Sequence, residues 1–317
     1  MFWTGELIAR NAPVRRRVTA ERSPLAERAV AAYLGLAIGD ALGATVEFMT
    51  PKEIRAHHGV HENIVGGGWL RLKAGQVTDD TTMALALGES ILAAGRVDAL
   101  AAADAFDAWM RAKPVDIGNT VRRNLVSFRS SRNPEAPASE HDAGNGAAMR
   151  VLPVALACYG QPAPAVRAAS RAQAHVTHHN PLSDAACETL VFMVQDFLAG
   201  RDVIAVERER AGDLVQAFPI FAWDRKHSEN PSGYVVDTMQ AVFQSLFATE
   251  CFEDCLIDIV NRGGDADTTG AIAGMLAGAS YGLEGIPRRW LRGLDELTRV
   301  RCEKQAEALI ALAEKAV

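Results

Sequence analysis

No apolar run in the 317-residue chain reaches the ~20 residues that a membrane-crossing helix needs, so an integral membrane protein of the helical kind is excluded. Basic residues do not outnumber acidic ones: 33 Lys and Arg stand against 39 Asp and Glu, a net charge of −6. A nucleic-acid binder normally presents a basic face, so no nucleic-acid partner is expected. Cysteine is scarce and odd in number. Cys158, Cys187, Cys251, Cys255 and Cys302 have no close His or Cys companions of the kind a zinc cluster uses, and they read as reduced thiols of a cytoplasmic protein. The opening MFWTGELIARNAPVRRRVTAERSP has basic residues but no apolar run behind them, which is not the pattern of a secretory signal. Two-residue alternation is rare, and no repeat of about 20–50 residues is found.

Helical periodicity fills most of what remains, and the expectation is an all-α fold, a single domain over residues 24–317 behind a loosely ordered basic tail over 1–23. Ser23-Pro24 has a capping hydroxyl followed by proline at the first helical position. In the helix that follows, Gly35, Gly39 and Gly43 make a groove for a close neighbour. Between Pro51 and Gln76 the helical pattern lapses, and Gly66-Gly67-Gly68-Trp69 reads as an ordered surface loop, either an anion cradle or a simple turn. Residues 183–217 read as two helices joined at Gly200-Arg201, and 288–315 as a final helix pair or one long helix.

The chemistry concentrates at two helix mouths. Residues 261–282 place Asp265 and Asp267 in a glycine-softened turn, add Thr268 and Thr269, and continue into a helix of small residues. Thr78, Asp79 and Asp80 repeat that plan ahead of another apolar helix. Asp and Thr cap helices and complement the helix dipole, so two unrelated caps are one reading. The other is a shared oxygen-rich site. Four aspartates cannot crowd one pocket unaided, and hard divalent cations such as Mg²⁺ or Mn²⁺ would relieve them. Two facing clusters suit a two-metal centre that polarises a substrate oxygen and activates water. Asp40 is open to a capping or solvent-facing role, whereas Glu47, between Val46 and Phe48, would be costly to bury alone. Asp116 lies just ahead of a helix start at Gly118-Asn119-Thr120, and Gly144-Asn145-Gly146 reads as a turn opening a helix whose free N–H groups could hold phosphate. Of His175, His178 and His179, His178 is singled out as a ligand contact and the other two as surface or core residues.

Together GLAIGDALGATVEF, VTDDTT, GNGAAMR, THHNP and GGDADTTGAIAGMLAGASYG, with PVDIGNT and YVVDTMQ between them, resemble the ADP-ribosylglycohydrolase family over roughly residues 25–315. The resemblance is nearest to the branch acting on the nitrogenase iron protein. It implies a compact helical bundle with a dinuclear Mn²⁺ or Mg²⁺ site in a central cleft, and cleavage of the N-glycosidic bond between ADP-ribose and a protein arginine. It implies metal ligation by Thr78, Asp79, Asp80, Asp265, Asp267 and Thr268, and catalytic carboxylates at Glu47 and Asp116. Gly118, Asn119, Gly144, Asn145, Gly146 and His178 would line the ADP-ribose cleft. Thr82 stands where the branch that the chain most resembles has an acidic residue, a departure that would alter the metal's outer shell. The partners implied are ADP-ribosylated dinitrogenase reductase, a PII signalling protein and a membrane ammonium channel, the last giving a cytoplasmic enzyme reversible membrane association. Hydrolysis of serine-linked or O-acetyl-ADP-ribose, and a non-catalytic ADP-ribose-binding module, stay open as alternatives.

Overall fold

The computed structural model describes residues 22–224 and 227–316. Up to residue 21 the expected tail lies outside the described residues. Arg22 pairs with Glu307 at 2.6 Å and Glu303 at 3.2 Å, and the Ser23 hydroxyl accepts from Ala26 N. Helices are the regular structure of the described residues, which contain no β-strand. Its helices are α1 (Pro24–Gly43), α2 (Pro51–His58), α3 (Asp79–Ala94), α4 (Ala99–Arg111), α5 (Asn119–Ser131), α6 (Leu152–Ala157), α7 (Ala163–Ala174) and α8 (Pro181–Leu198). Then come α9 (Val203–Val206), a π turn at Glu207–Ala211, α10 (Gly212–Ala217), α11 (Val235–Ala248), α12 (Phe252–Val260), α13 (Ala266–Tyr281), α14 (Arg288–Gly293) and α15 (Glu296–Ala316).

The centre of the bundle is the pair α1 and α13. Neither is amphipathic. Residues 29–43 of α1 and 266–279 of α13 are all buried, as expected of helices enclosed on every side. They run antiparallel with backbones nearly touching. A Cβ placed on Gly35 would lie 2.0 Å from Gly274 O, one on Gly39 1.9 Å from Gly270 O, and one on Gly43 2.1 Å from Ala266 O. The glycine groove of α1 is therefore filled by the small-residue stripe of α13, a four-residue repeat meeting a four-residue repeat. One consequence fixes the site: antiparallel packing sets the C-terminal end of α1 beside the N-terminal end of α13. α15 and α3 close the other side, where the Gln305 amide donates to Leu85 O at 2.9 Å and fills the space a Gly88 side chain would need.

Two local expectations change. The stretch after Pro51 does contain a helix, α2, opened by a Thr50–Glu53 capping box with proline at its start; only Ile54 is buried, so apolar periodicity is silent there. The turn at Gly144-Asn145-Gly146 does not open a helix directly. Residues 146–150 continue as turns and α6 starts at Leu152. The C-terminal segment is a helix pair, α14 and α15. All five cysteines are free.

Candidate metal centre

Beyond α1 the chain makes a short turn that ends at Glu47, followed by Phe48 in the left-handed region at φ 62°. Two backbone bonds clasp this turn to the mouth of α13, Phe48 N donating to Gly264 O (2.7 Å) and Gly264 N to Met49 O (3.0 Å), and a third, Asp265 N to Pro231 O (2.8 Å), ties that mouth to the segment ahead of α11. Gly263 and Gly264 both have positive φ, and a Cβ on either would lie within 2.2 Å of a carbonyl oxygen, Met49 O and Pro231 O respectively. No other residue fits there. The clasp brings one carboxylate oxygen each of Glu47, Asp265 and Asp267 within 4.8 Å of one another.

Each of these side chains is held from behind. The Trp69 indole N–H donates to Glu47 Oε2 at 2.6 Å, so the triple-glycine loop, with positive φ at all three glycines, delivers a tryptophan rather than cradling an anion. Asn145 Nδ2 donates to Asp265 Oδ2 at 2.6 Å and to Thr238 Oγ1 at 2.9 Å. Thr268 N donates to Asp267 Oδ1 at 2.9 Å.

The second mouth belongs to α3, whose own N-cap side chain makes no capping bond. Asp40, one turn before the end of α1, does that work from outside the helix. It accepts from Thr78 N (2.9 and 3.1 Å), Thr81 N (3.0 Å) and Thr81 Oγ1 (2.5 Å), pinning the start of α3 to α1. Asp79 and Asp80 follow in the first turn, both buried, and Thr78 Oγ1 donates to Asp80 Oδ2 at 3.0 Å. Asp80 Oδ1 is buried with no hydrogen-bond partner among the described residues.

Charge influence runs between the two mouths, although the carboxylate oxygens that converge within 4.8 Å are those of Glu47, Asp265 and Asp267. Burial first, and then neighbouring carboxylates, push Glu47 up to about 8 and Asp79 up to about 7; burial pushes Asp40 up to about 6. Asp80, Asp265 and Asp267 are raised as well, by burial above all. The charge of Asp265 acts on Glu47, Asp79 and Asp80, and that of Asp80 on Asp267, so the effect crosses from one cluster to the other. No basic side chain is among the principal influences on any of the six. The opposing influences are hydrogen bonds, among them those from Thr78, Thr81, Trp69, Asn145 and Thr268. Buried carboxylates with no ion pair to a basic side chain among the described residues, Arg150 reaching Asp79 only through its charge, and with one oxygen unpartnered, form an all-oxygen donor set that fits a hard divalent cation.

Asp116 is half-buried at the rim; its charge acts on Glu47, Asp79 and Asp265, and its Oδ1 accepts from Ile117 N. Gly118 and Asn119 are exposed at the start of α5, which no side chain caps. Gly144 and Gly146 pack on the His178 ring, where a Cβ would meet Nε2 at 3.0 Å or Cε1 at 2.8 Å. Arg150 Nη2 donates to Thr177 Oγ1 at 2.8 Å, so the threonine hydroxyl proton is free for His178 Nδ1, also at 2.8 Å, and the ring hydrogen sits on Nε2. Burial and the charges of Arg150 and Arg123 push His178 down to about 3, which keeps it neutral. Sequence reasoning had not found Trp69 or the role of Asp40, and it assigned Asn145 to the cleft without its bond to Asp265. Each link spans residues far apart in the chain.

Comparison with known proteins agrees with this geometry. The family model described as ADP-ribosylglycohydrolase matches residues 21–316. The chain is 52% identical over 287 residues to the ADP-ribosyl-[dinitrogen reductase] glycohydrolase of Rhodospirillum rubrum, covering 90% of this chain and 97% of that protein. It is 33% identical to the ADP-ribosylarginine hydrolase Tri1 of Serratia proteamaculans, over 86% of this chain and 77% of the relative. A solved structure described as an ADP-ribosylglycohydrolase-related protein complex superposes with a TM-score of 0.80 at 35% identity, covering 92% of this chain and 99% of that one.

Proposed function

The chain belongs to the ADP-ribosylglycohydrolase family, and on that footing we propose that it is a metal-dependent hydrolase that cleaves the N-glycosidic bond between ADP-ribose and a protein arginine, reactivating ADP-ribosylated dinitrogenase reductase. The observation that carries the proposal is the convergence of Glu47, Asp265 and Asp267 at the mouth of α13, electrostatically joined to Asp79 and Asp80, with no ion pair to a basic side chain among the described residues. Similarity to proteins named for dinitrogen reductase and for ADP-ribosylarginine supports the linkage and the substrate.

Thr78, Asp79, Asp80, Asp265, Asp267 and Thr268 are the proposed ligands of two Mn²⁺ or Mg²⁺ ions. Bound there, divalent cations would supply Lewis-acid polarisation of substrate oxygens and lower the pKa of water. The chain's own residues hold and orient the substrate. Gly144 and Gly146 leave the neutral His178 Nε2–H facing the turn, where it donates to an ADP-ribose oxygen, and the uncapped start of α5 at Gly118 and Asn119 offers free N–H groups to the diphosphate. Glu47, oriented by Trp69, and Asp116, at the rim, are the carboxyl groups positioned to move a proton at the scissile bond. Association with a PII signalling protein and a membrane ammonium channel completes the proposal and rests on the motif resemblance alone. No helix among the described residues is long and apolar enough to cross a membrane.

The test sets arginine-ADP-ribosylated iron protein beside a serine-ADP-ribosylated peptide and O-acetyl-ADP-ribose, each with Mn²⁺ or with chelator. ADP-ribose release from the arginine substrate, abolished by chelator, is the expected result. Release from only the serine or acetyl substrate would move the enzyme to another linkage, and binding without release from any would make it a recognition module.

A further inference from the structure

A second group of metal-ligating side chains lies outside the carboxylate centre, where the loop over residues 132–142 folds onto the turn between α7 and α8. His175 Nδ1 and His179 Nδ1 stand 3.4 and 3.5 Å from the same oxygen, Glu135 Oε1, and the two imidazoles stack at 3.8 Å between centroids and 19° between planes. Those separations are long for hydrogen bonds, which cluster at about 2.7–3.2 Å. They match two edges of a ligand set on one tetrahedral ion, where metal–nitrogen distances of about 2.0–2.1 Å put ligand atoms roughly 3.3 Å apart; the stacked rings aim their lone pairs side by side, so ligation requires the His179 ring to tilt away from the stack.

The surroundings are built for it. His175 Nε2 is anchored at 2.9 and 3.0 Å by the Asp184 carboxylate, itself flanked by Arg171 at 4.0 Å. That carboxylate–histidine arrangement orients a metal-ligating ring and raises its basicity. The loop is held against the turn by Ala136 N to His175 O (2.8 Å), Ser139 N to His179 O (3.1 Å) and Asn180 Nδ2 to Ser139 O (2.8 Å). His179 Nδ1 also lies 2.9 Å from Ala136 O; the proton in that contact must move to Nε2 before the nitrogen can ligate, and the carbonyl oxygen is then at hand as a fourth ligand.

We propose that Glu135, His175 and His179 form a binding site for a borderline transition-metal ion of the Zn²⁺ class, with Asp184 as its positioning residue. Imidazole nitrogen selects such ions over Mg²⁺ or Mn²⁺, so the site is chemically distinct from the all-oxygen centre. Occupied, it staples the loop that leads into Asp142–Asn145 onto the turn that carries His178. The site stands independently of the proposed hydrolase activity.

The experiment uses the full chain, stripped of metal, held in excess Mg²⁺ and titrated with Zn²⁺ against a chromophoric competitor. One Zn²⁺ per chain is expected. Glu135→Ala, His175→Ala and His179→Ala should each weaken it at least tenfold, and Asp184→Asn by about 10–100-fold. Co²⁺ in place of Zn²⁺ should give a tetrahedral visible absorption band that the same variants lose while far-UV circular dichroism stays unchanged. The Glu135 side chain is 57% exposed, so its replacement tests ligation without threatening the fold. Wild-type chain that takes up no Zn²⁺ over the Mg²⁺ background would overturn the proposal. So would Glu135→Ala and His179→Ala binding Zn²⁺ as wild type does, the pattern expected if thiols or the carboxylate centre were the sink.

Discussion

At the scale of single residues, the groups that shape the centre beyond its carboxylates act by donating hydrogen bonds to them. Asn145 shows this most clearly, because its amide reaches Asp265 Oδ2 at 2.6 Å and Thr238 Oγ1 at 2.9 Å. Loss of a partner behind a metal ligand typically costs ~10–100-fold in affinity. Asn145→Ala is therefore expected to weaken Mn²⁺ binding by that amount with helical content unchanged; isothermal titration beside circular dichroism checks it, and wild-type affinity would show that the bond does not orient a ligand. The carboxylates themselves were legible in the sequence, because aspartates beside threonines at two helix mouths are unusual. The roles of Trp69 and Asp40 were not, and Asn145 was assigned to the ADP-ribose cleft without its bond to Asp265. Their partners lie 22, 38 to 41 and 120 positions away in the chain, and nothing in local pattern encodes such a pairing.

At the scale of elements, the site depends on two interhelical devices. The first is backbone contact between α1 and α13. Alanine is a better helix former than glycine by about 1 kcal/mol, so propensity alone would favour Gly39→Ala. A Cβ there would lie 1.9 Å from Gly270 O, with backbone on both sides, and overpacking decides the outcome. Gly39→Ala is expected to cost about 3 kcal/mol or more in urea unfolding, and a variant as stable as wild type would contradict the packing. The second device is the cap that Asp40 supplies to α3. Asp40→Ala strands two buried N–H donors and a threonine hydroxyl, at about 1–3 kcal/mol for an unpaired group. A loss of about 2 kcal/mol or more is expected, with faster hydrogen exchange confined to the first turn of α3. The glycine stripes announced close approach in the sequence, but not that each stripe was the other's partner. Helix α2 was invisible to apolar periodicity because it buries a single side chain, Ile54, and is specified by its capping box instead.

For the whole molecule, the all-helical reading holds, since helical periodicity runs through most of the sequence and two-residue alternation is rare. The global consequence of the buried carboxylates is a dependence of stability on pH. Asp40, Asp79 and Glu47 are raised in the folded state to about 6, 7 and 8, from ordinary values of 3.8, 3.8 and 4.5. For an acid raised on folding, the native state holds the proton more tightly than the unfolded chain. Its contribution is fully present below the unfolded value and is lost as pH rises through the folded one. Metal-free chain should therefore lose stability steadily from about pH 4 to about pH 8, each tenfold change in proton affinity being worth about 1.4 kcal/mol. Saturating Mn²⁺ should remove most of that slope by taking the protons' place. Thermal melts across this range, with chelator or with Mn²⁺, check it; a metal-free chain that grows more stable toward pH 8 would show the carboxylates to be otherwise compensated.

The central claim is that the mouths of α3 and α13 form one cation centre rather than two separate helix caps. Mn²⁺ stoichiometry, measured by equilibrium dialysis on wild type, Asp80→Ala and Asp265→Ala, tests it most directly. The expected result is two ions on the wild-type chain, a loss of bound metal in each variant together with turnover, and a far-UV spectrum unchanged in all three. Wild-type stoichiometry in the Asp265→Ala chain would contradict a shared centre.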